Sequence, residues 1–344
     1  MRNGSAGRRI TRIGLTAIVL IAVTLAFVLL DLAWAGTRTL SLGEVWSALI
    51  GEGTWANDLI VNGRNAPRVV AAILIGAGLA VTGCVMQAVF RNPLATPYIL
   101  GLSSGASLGS AFAIMMVPMG MLALAQPVLA FAMCLLTTFL VYAVSRAGGI
   151  MVRTETLVLA GVAISSLFSA VVSFLTYVAP SDKMQSIVFW TMGSLVNVSF
   201  DELAIVAPVV IAGIILMLTQ CRNLNAMMIG DSHAMDLGVD VRKVRIALLI
   251  VSSFVVAACV AFAGTIGFVG LVIPHILRMI MGPDNRLIMP VSVIGGAAFL
   301  LICDWVAHIV APMYGVLPIG VVTSIVGGPF FIYLLCRRKR EVGW

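Results

Sequence analysis

The sequence predicts a single-domain, all-α protein that crosses a membrane about ten times, with both termini in the cytoplasm. Of its 344 residues, 61% are hydrophobic and only 10% are charged, whereas water-soluble domains carry about 25% charged residues. Apolar segments long enough to cross a bilayer, which takes about 20 residues, recur along the whole chain. The positive charges collect on alternate connections between these segments, as they do on the cytoplasmic side of membrane proteins.

The predicted spans are separated by short polar connections. We place them at 12–34, 67–90, 97–116, 120–145, 154–178, 200–220, 241–264, 268–281, 287–310 and 316–336. The first span follows four arginines and resembles a signal peptide, but its length and the spans after it favour a retained helix. The outer connection 35–66 has the pattern of a short helix lying on the membrane surface, and Trp190 in the outer connection 179–199 suits an interfacial anchor.

The distribution of positive charge sets the predicted orientation. With the N-terminus inside, 17 of the 21 lysines and arginines are cytoplasmic, the others being Arg38, Arg64, Arg68 and Lys183. The net charge of +7 therefore reports orientation in the membrane and does not call for a nucleic-acid partner. The six cysteines lie in or beside apolar segments without a CxxC pair, so we interpret them as small core residues.

The longest cytoplasmic connection, residues 222–245, is a polar segment between two apolar spans. Gly230 and Gly238 divide it into two short helical pieces, which carry apolar residues of a possible docking surface. These residues are Leu224, Met227, Met228, Met235 and Leu237. Composition alone leaves a second interpretation open, a solvated loop with nascent helicity.

Polar residues at the helix starts of this polar segment are expected to act as caps. Asp231 or Ser232 can cap the second piece and Asp240 the span that follows, because their side-chain oxygens accept unpaired N–H groups of a first turn. Gly238 suits the left-handed position that ends a helix. Together these residues predict two helices held close to the membrane surface.

The segment 264–275 is expected to interrupt a helix inside the membrane. It contains Gly264, Gly267 and Gly270, followed by Pro274. Broken backbone at membrane depth is tolerated only where protein or a water-filled cavity satisfies it. We therefore expect the seventh and eighth spans to turn here beside a pathway, with close helix packing through glycine as the alternative.

Few ionisable residues fall within the spans. Asp304 and His308 lie four residues apart, hence on one face of the ninth span, and His275 and Arg278 lie near the eighth. A proton relay through Asp304 and His308 is one interpretation, and a simple pairing of Asp304 within the bundle is the other. The sequence has no P-loop, no glycine-rich dinucleotide motif and no His/Cys cluster at metal-binding spacing, so any ATP that drives this protein binds another chain.

Motifs along nearly the whole chain point to one family when taken together. They include Pro67-Arg68, Gly76-Ala77-Gly78, Met86-Gln87, Arg91-Asn92-Pro93-Leu94-Ala95, Gly101-Leu102-Ser103-Ser104-Gly105-Ala106, Trp190-Thr191-Met192-Gly193-Ser194-Leu195, Leu237-Gly238-Val239, and the segments 267–275, 282–284, 317–323 and 328–331. With these motifs the chain resembles the permeases of type II ABC importers, which move iron–siderophores, haem and cobalamin.

The resemblance implies a homodimer of ten-span subunits with two cytoplasmic ATPases and an extracytoplasmic binding protein. It implies no catalytic site and no cofactor in this chain, because ATP and Mg²⁺ bind to the ATPase subunits. The polar segment would form the coupling helices, through Met227, Met228, Gly230, Asp231, Ser232, Met235, Leu237 and Gly238. The second, fifth, eighth and tenth spans would lie nearest the pathway, and the candidate pathway residues are Met86, Gln87, Gly161, Ser165, Ser169, Gly267, Gly270 and Pro274.

Two positions depart from the pattern of the family, and both concern the outer face. Where the family commonly has Arg-x-Pro-Arg, this chain has Asn65 in the first position and the arginine at Arg64. Where a basic residue, commonly arginine, follows Asp304 by four, this chain has His308. We therefore expect Arg64, Arg68 and His308 to meet carboxylates of the binding protein.

The resemblance favours an ATP-driven permease for an iron(III)–siderophore, with a corrinoid or haem permease of the same architecture as the alternative. A proton-coupled secondary transporter that uses Asp304 and His308 is an alternative of another class. The polar segment at 222–245 favours the ATPase-coupled interpretation, since a secondary transporter needs no docking helices. A purely structural membrane protein is disfavoured by the expected helix break at 264–274.

Overall fold

The computed structural model describes residues 3–34, 39–147, 154–311 and 315–341, and these residues are almost entirely helical. The helices are α1 (Asn3–Ala33), α2 (Leu42–Leu49), α3 (Trp55–Ile60), α4 (Ala66–Val89), α5 (Leu102–Met116), α6 (Met119–Ala147), α7 (Thr154–Val178), α8 (Ser181–Met192), α9 (Phe200–Thr219), α10 (Cys221–Ile229), α11 (Asp231–Asp236), α12 (Val241–Ala263), α13 (Val269–Met281), α14 (Asn285–Ile309) and α15 (Ile319–Glu341). A π-helical turn, Val61–Asn65, joins α3 to α4, and a 3₁₀ turn, Pro97–Leu100, precedes α5.

The helices confirm the all-α, multi-pass architecture. Within the described ranges, seven helical segments are long and apolar enough to cross a membrane. Three shorter apolar helices, Leu102–Met116, Val269–Met281 and Ile319–Tyr333, correspond to the remaining predicted spans. The side that carries α10 and α11 is called the inner side below, and the opposite side is the outer side.

Helix α4 lies at the centre of the bundle, with nearly every residue buried. Small residues allow this burial, because they let neighbouring backbones approach closely. A Cβ atom added to Gly76 would lie 2.3 Å from the carbonyl oxygen of Gly296 in α14, and one added to Gly83 would meet the carbonyl oxygen of Gly270 in α13. The paired glycines therefore hold α4 in backbone contact with both helices.

Helix α1 packs on α14 as part of the bundle. The rings of Phe27 and Trp305 meet edge to face with centroids 5.6 Å apart. Leu20 of α1 reaches Gly295 of α14, where a Cβ would lie 3.7 Å from its methyl group. These contacts place α1 against the part of the bundle formed by α14.

Two predicted span boundaries are wrong because short helical turns precede the spans. The second span does not begin at residue 67, since α3 and the π-helical turn lead into α4 from Trp55 onward. The third begins at Leu102, because Gly101 adopts a left-handed conformation (φ +73°) after the 3₁₀ turn. The outer connection 179–199 contains the helix α8, and Trp190 in it packs against the core. The short surface helix expected in 35–66 is confirmed as α2.

The predicted turn between the seventh and eighth spans is confirmed at residues 264–268. Helix α12 ends at Ala263 and α13 begins at Val269. Gly264 and Phe268 between them adopt positive φ values of +67° and +65°. Pro274 was expected to contribute to the break, and this is wrong, because α13 continues through it to Met281.

Candidate translocation cavity and coupling segment

The polar segment 222–245 folds into two short helices, as predicted. Helix α10 ends at Ile229 and α11 begins at Asp231, and Gly238 has a positive φ of +82° after α11. Asp240 caps α12 by accepting a hydrogen bond from the backbone N–H of Lys243 at 3.0 Å. This backbone N–H and the Lys243 ammonium lower the pKa of Asp240.

Asp231 does not cap α11, which corrects the prediction, and neither does Ser232. The first turn of α11 has no side-chain cap. The carboxylate of Asp231 instead accepts a hydrogen bond from Arg91, which follows α4. It also accepts hydrogen bonds from Nη2 of Arg245 in α12, at 2.9 Å to Oδ1 and 3.0 Å to Oδ2. Arg91 also donates to the carbonyl oxygen of Met227 at 2.8 Å. The polar segment is therefore tied to two membrane helices through one carboxylate.

The polar segment buries one apolar face and exposes another. Met227 is fully buried and packs with Ala226, Ala234 and Val241. Three large apolar side chains on the inner surface are exposed: Ile229 (71%), Met235 (59%) and Leu237 (62%). Of the other predicted coupling residues, Met228 and Gly230 are half-buried and Ser232 is exposed. An exposed apolar patch on a rigidly held segment is typical of a protein-binding surface.

A large cavity lies between α5, α7, α15 and the turn at 264–268. Its volume is about 820 Å³. Nine of the fifteen residues that line it carry a hydroxyl group, and none of the fifteen is charged. They are Tyr98, Ser103, Ser104, Ser107, Ser169, Val172, Ser173, Thr191, Met192, Thr265, Gly267, Gly320, Val321, Ser324 and Ile325. We call it the hydroxyl cavity.

The wall of the hydroxyl cavity at residues 264–268 is held in place by hydrogen bonds. Tyr98 donates from its hydroxyl to the carbonyl oxygen of Ile266 at 2.7 Å. Thr265 donates from its hydroxyl to the carbonyl oxygen of Thr191 at the end of α8. Gly320 also packs here, since a Cβ on it would lie 2.2 Å from the carbonyl oxygen of Met192. The broken backbone at membrane depth is thus satisfied largely by protein groups.

The predicted pathway residues fall into three groups. Ser169 and Gly267 line the hydroxyl cavity. Gly161 and Gly270 are packing glycines, whose added Cβ atoms would meet the carbonyl oxygens of Ile99 (2.0 Å) and Leu79 (2.7 Å). The remaining candidates lie away from the cavity lining: Met86, Gln87 and Pro274 are buried in the bundle, and Ser165 is half-buried beside Gly101.

A group of ionisable side chains is buried near the outer end of the bundle. Arg68 of α4 donates from Nε to Oδ2 of Asp304 in α14 at 2.7 Å, and the two side chains are 1% and 2% exposed. His308 accompanies them, with Nδ1 2.8 Å from the carbonyl oxygen of Asp304. Asp31 of α1 is also fully buried, and neither of its oxygens has a hydrogen-bond partner among the residues that the structure describes. We call these four residues the outer cluster.

The outer cluster corrects the predicted docking residues. Arg68 and His308 are 1% and 3% exposed, so neither side chain is available to a partner on the outer surface. Arg64, one turn before Arg68, is exposed and remains available. The predicted pairing of Asp304 within the bundle is confirmed, with Arg68 as its partner.

Sequence reasoning missed Asp31 and most of the cavity serines. Asp31 is the one carboxylate within the first apolar span. An ionisable residue within a span indicates a side chain that faces the interior of the bundle, so the sequence could have identified it. Ser103, Ser104 and Ser107 lie in a run of small residues, 101–109, which also suits close helix packing. Their spacing is compatible with either packing or lining a cavity, and only the positions of α7 and α15 distinguish the two.

Comparison with known proteins identifies the family. The FecCD transport family matches residues 18–337. The chain is 42% identical over 285 residues to the cobalamin import system permease protein BtuC of Halobacterium salinarum, covering 83% of this chain and 75% of the relative. It is 37% identical over 340 residues to the hemin transport system permease protein HmuU of Yersinia pestis, covering 97% of this chain and 98% of the relative.

The arrangement of helices agrees with these relatives. Among solved structures, the chain is similar to an ABC transporter of the metal-chelate type in an inward-facing conformation, with a TM-score of 0.81 and 29% identity. The similarity covers 93% of this chain and 98% of the other. On the family match, the identities and the shared fold, this chain belongs to the FecCD transport family and is a multi-pass membrane permease of the type II ABC importers.

Proposed function

We propose that this chain is the subunit through which an ABC importer moves an iron(III)–siderophore-type metal chelate into the cytoplasm. ATP hydrolysis on separate subunits drives the transport. The observation that carries this proposal is the apolar patch of Ile229, Met235 and Leu237, exposed on helices that Asp231 ties to α4 and α12. A rigid apolar patch on the inner side is suited to receive the motion of a soluble partner.

The complete importer contains two copies of this chain, two cytoplasmic ATPases that bind ATP and Mg²⁺, and an extracytoplasmic binding protein. The hydroxyl cavity supports the pairing of two permeases. Ser169, Ser173 and Ser324 in its lining are exposed on the surface of the isolated chain, and a concave polar face is poorly suited to lipid acyl chains. A second copy would close the cavity into a central pathway.

The hydroxyl cavity also bears on the solute. Its volume of about 820 Å³ lies at the upper end of small-molecule sites, which range from about 300 to 1,000 Å³. An uncharged, hydroxyl-lined wall gives a polar solute weak hydrogen bonds without a charge that would retain it. A corrinoid is the second candidate, because its amide groups fit such a wall and a relative at 42% identity is named a cobalamin permease.

Uptake into proteoliposomes tests the proposal. The permease is reconstituted with its ATPase and binding protein, and uptake of a ferric siderophore, cyanocobalamin and hemin is compared. We expect vanadate-sensitive, ATP-dependent uptake of the siderophore complex, and corrinoid uptake alone would select the second candidate. Uptake that persists without ATP and collapses with a protonophore would overturn the proposal in favour of a secondary transporter acting through Asp304 and His308.

Reversing the charge of Asp231 is expected to uncouple transport from ATP hydrolysis. In Asp231→Arg the new guanidinium faces Arg91 and Arg245, so the contacts that tie α11 to the membrane helices become repulsive. Gly230→Pro should act similarly, because Gly230 has a φ of 162°, which proline cannot adopt. We expect uptake to fall about tenfold or more, with unchanged insertion into the membrane.

The matched control is Glu155→Arg, an equal charge reversal in the first turn of α7, outside the polar segment. Glu155 is exposed, and its substitution is expected to leave uptake close to the wild-type rate. Wild-type uptake by both Asp231→Arg and Gly230→Pro would contradict a coupling role for the polar segment.

Arg64 is the outer-surface arginine that we propose to contact the binding protein. Arg64→Glu is expected to weaken binding-protein affinity and to remove part of its salt dependence, because an exposed pair is screened by ions. Affinity is measured at two ionic strengths, with Lys183→Glu as an outer-side control. Unchanged affinity and salt dependence in Arg64→Glu would remove Arg64 from the interface.

A further inference from the structure

The inner end of α13 is joined to three other elements by the side chain of Arg278. Its Nε donates to Oε1 of Gln87 in α4 at 3.2 Å, and its Nη2 donates to Oδ1 of Asn285 in α14 at 3.1 Å. Its Nη1 lies 3.7 Å from Sδ of Met228 in α10 and 3.4 Å from the carbonyl oxygen of Pro283. One guanidinium group therefore connects α13, α4, α14 and the polar segment.

The polar segment has a second link to the same place. Asn225 of α10 donates to Oδ1 of Asp284 at 2.6 Å and accepts a hydrogen bond from the backbone N–H of Asn285 at 2.9 Å. Asn285 also donates to Sδ of Met228 at 3.2 Å. A displacement of α10 cannot occur without moving these groups or breaking their hydrogen bonds.

The other end of α13 forms the wall of the hydroxyl cavity. Residues 264–268 lead directly into Val269, and Thr265 and Gly267 line the cavity. Helix α13 has 13 residues and is therefore about 20 Å long. Rigid secondary-structure elements such as helices can carry a displacement from one end to the other. Helix α13 thus connects the polar segment to the cavity without any intervening element.

We propose that Arg278 is a positioning residue that couples movement of α10 to the wall of the hydroxyl cavity through α13. This inference rests on the proposed ATP-driven function and names the contact that transmits the movement. When an ATPase displaces the polar segment, Arg278 makes α13 move with it. The turn at 264–268, which precedes α13, then moves as well and alters the shape of the hydroxyl cavity.

An arginine suits this position because its guanidinium group can donate to several helices at once. Its planar group has five N–H donors in fixed directions and engages acceptors on several elements at once, whereas lysine presents a single compact charge. Arg278→Met would leave Gln87 and Asn285 without their donor. Arg278→Lys keeps the positive charge but loses the fixed set of N–H donors, so it is expected to transport better than Arg278→Met but less well than the parent.

The test follows a reporter on the cavity wall. The reporter is Gly267→Cys, because a Cβ on Gly267 meets no atom of the described residues within 4 Å. It is placed in a Cys336→Ser background, since the other five cysteines are buried. The rate of maleimide labelling is measured with and without ATP and vanadate in the reconstituted importer. Uptake and ATP hydrolysis are measured on the same samples.

In the parent we expect ATP to change the labelling rate at Gly267→Cys. In Arg278→Met we expect that change to be lost and the solute moved per ATP to fall about tenfold, while ATP hydrolysis continues. The matched control is Arg286→Met, which removes the same charge from an exposed residue at the inner end of α14 and should behave as the parent. A purely structural arginine would lower the amount of assembled importer without altering the ratio of transport to hydrolysis.

The outcomes separate this inference from the proposed function. An Arg278→Met importer that keeps the ATP-dependent labelling change and the parent's solute-to-ATP ratio overturns the role of Arg278. If Arg278→Met does not assemble, Gln87→Met is measured instead, since it removes one acceptor of Arg278 at similar volume, and parent-like coupling in it would equally overturn the inference. A parent with neither ATP-driven uptake nor an ATP-dependent labelling change overturns the proposed function, and this inference with it.

Discussion

Replacing Arg68 with methionine is expected to destabilise the folded protein by about 3–5 kcal/mol, the usual effect of removing one partner of a buried ion pair. Arg68 and Asp304 are both almost fully buried and lie 2.7 Å apart. In Arg68→Met the buried carboxylate of Asp304 would lose its cationic partner. The expected result is a large drop in the apparent melting temperature of the detergent-solubilised protein.

Two further variants identify the cause of this loss. Arg64→Met removes the same charge one turn earlier on an exposed residue, and surface substitutions of this kind change stability by about 0.5 kcal/mol or less. The double variant Arg68→Met/Asp304→Asn removes the unpaired carboxylate and is expected to recover part of the stability. A melting temperature for Arg68→Met equal to that of Arg64→Met would contradict a stabilising ion pair.

Substituting alanine for Gly83 is expected to be the second strongly destabilising change. A Cβ at this position would lie 1.9 Å from the carbonyl oxygen and 2.5 Å from the Cα of Gly270. These are backbone atoms, so α4 and α13 must move apart, and overpacking of this kind costs about 1–3 kcal/mol or more. The melting temperature of the purified protein measures the effect, and Gly83→Val should leave little folded protein.

A glycine series provides the control. A Cβ on Gly270 would lie farther from its neighbours, with the carbonyl oxygen of Leu79 nearest at 2.7 Å. A Cβ on Gly328 in α15 would meet no atom of the described residues within 4 Å. The expected order of destabilisation is therefore Gly83, then Gly270, with Gly328→Ala unchanged or stabilised by its better helix propensity. Equal melting temperatures across the series would show that α4 and α13 do not pack through their glycines.

The parts of the candidate site that could be predicted from the sequence depend on local patterns. Gly230, Gly238 and Asp240 shape the polar segment through backbone conformation and capping, which involve neighbours only a few residues away. The break at 264–268 was also predictable, since glycine inside an apolar run is a local signal.

Two errors in the candidate site have a different origin, because each involves partners far apart in the chain. Asp231 was expected to cap α11, yet it pairs with Arg91, 140 residues away. Arg68 was expected on the surface, yet it pairs with Asp304, 236 residues away. Nothing local indicates such pairings, and a charged side chain at the end of a span reads the same whether it faces solvent or the bundle.

The sequence by itself determined that this chain crosses a membrane about ten times, where its helices break and which family it resembles. These properties follow from the number, spacing and order of apolar segments, because lipid admits few alternatives to a helix. Only the tertiary structure decided that nine hydroxyl-bearing residues share one cavity, that Asp31 lies within the outer cluster, and that Arg278 connects α10 to α13. Those contacts depend on how the helices rotate and pack against one another, and the packing is set by side chains distributed over the whole chain.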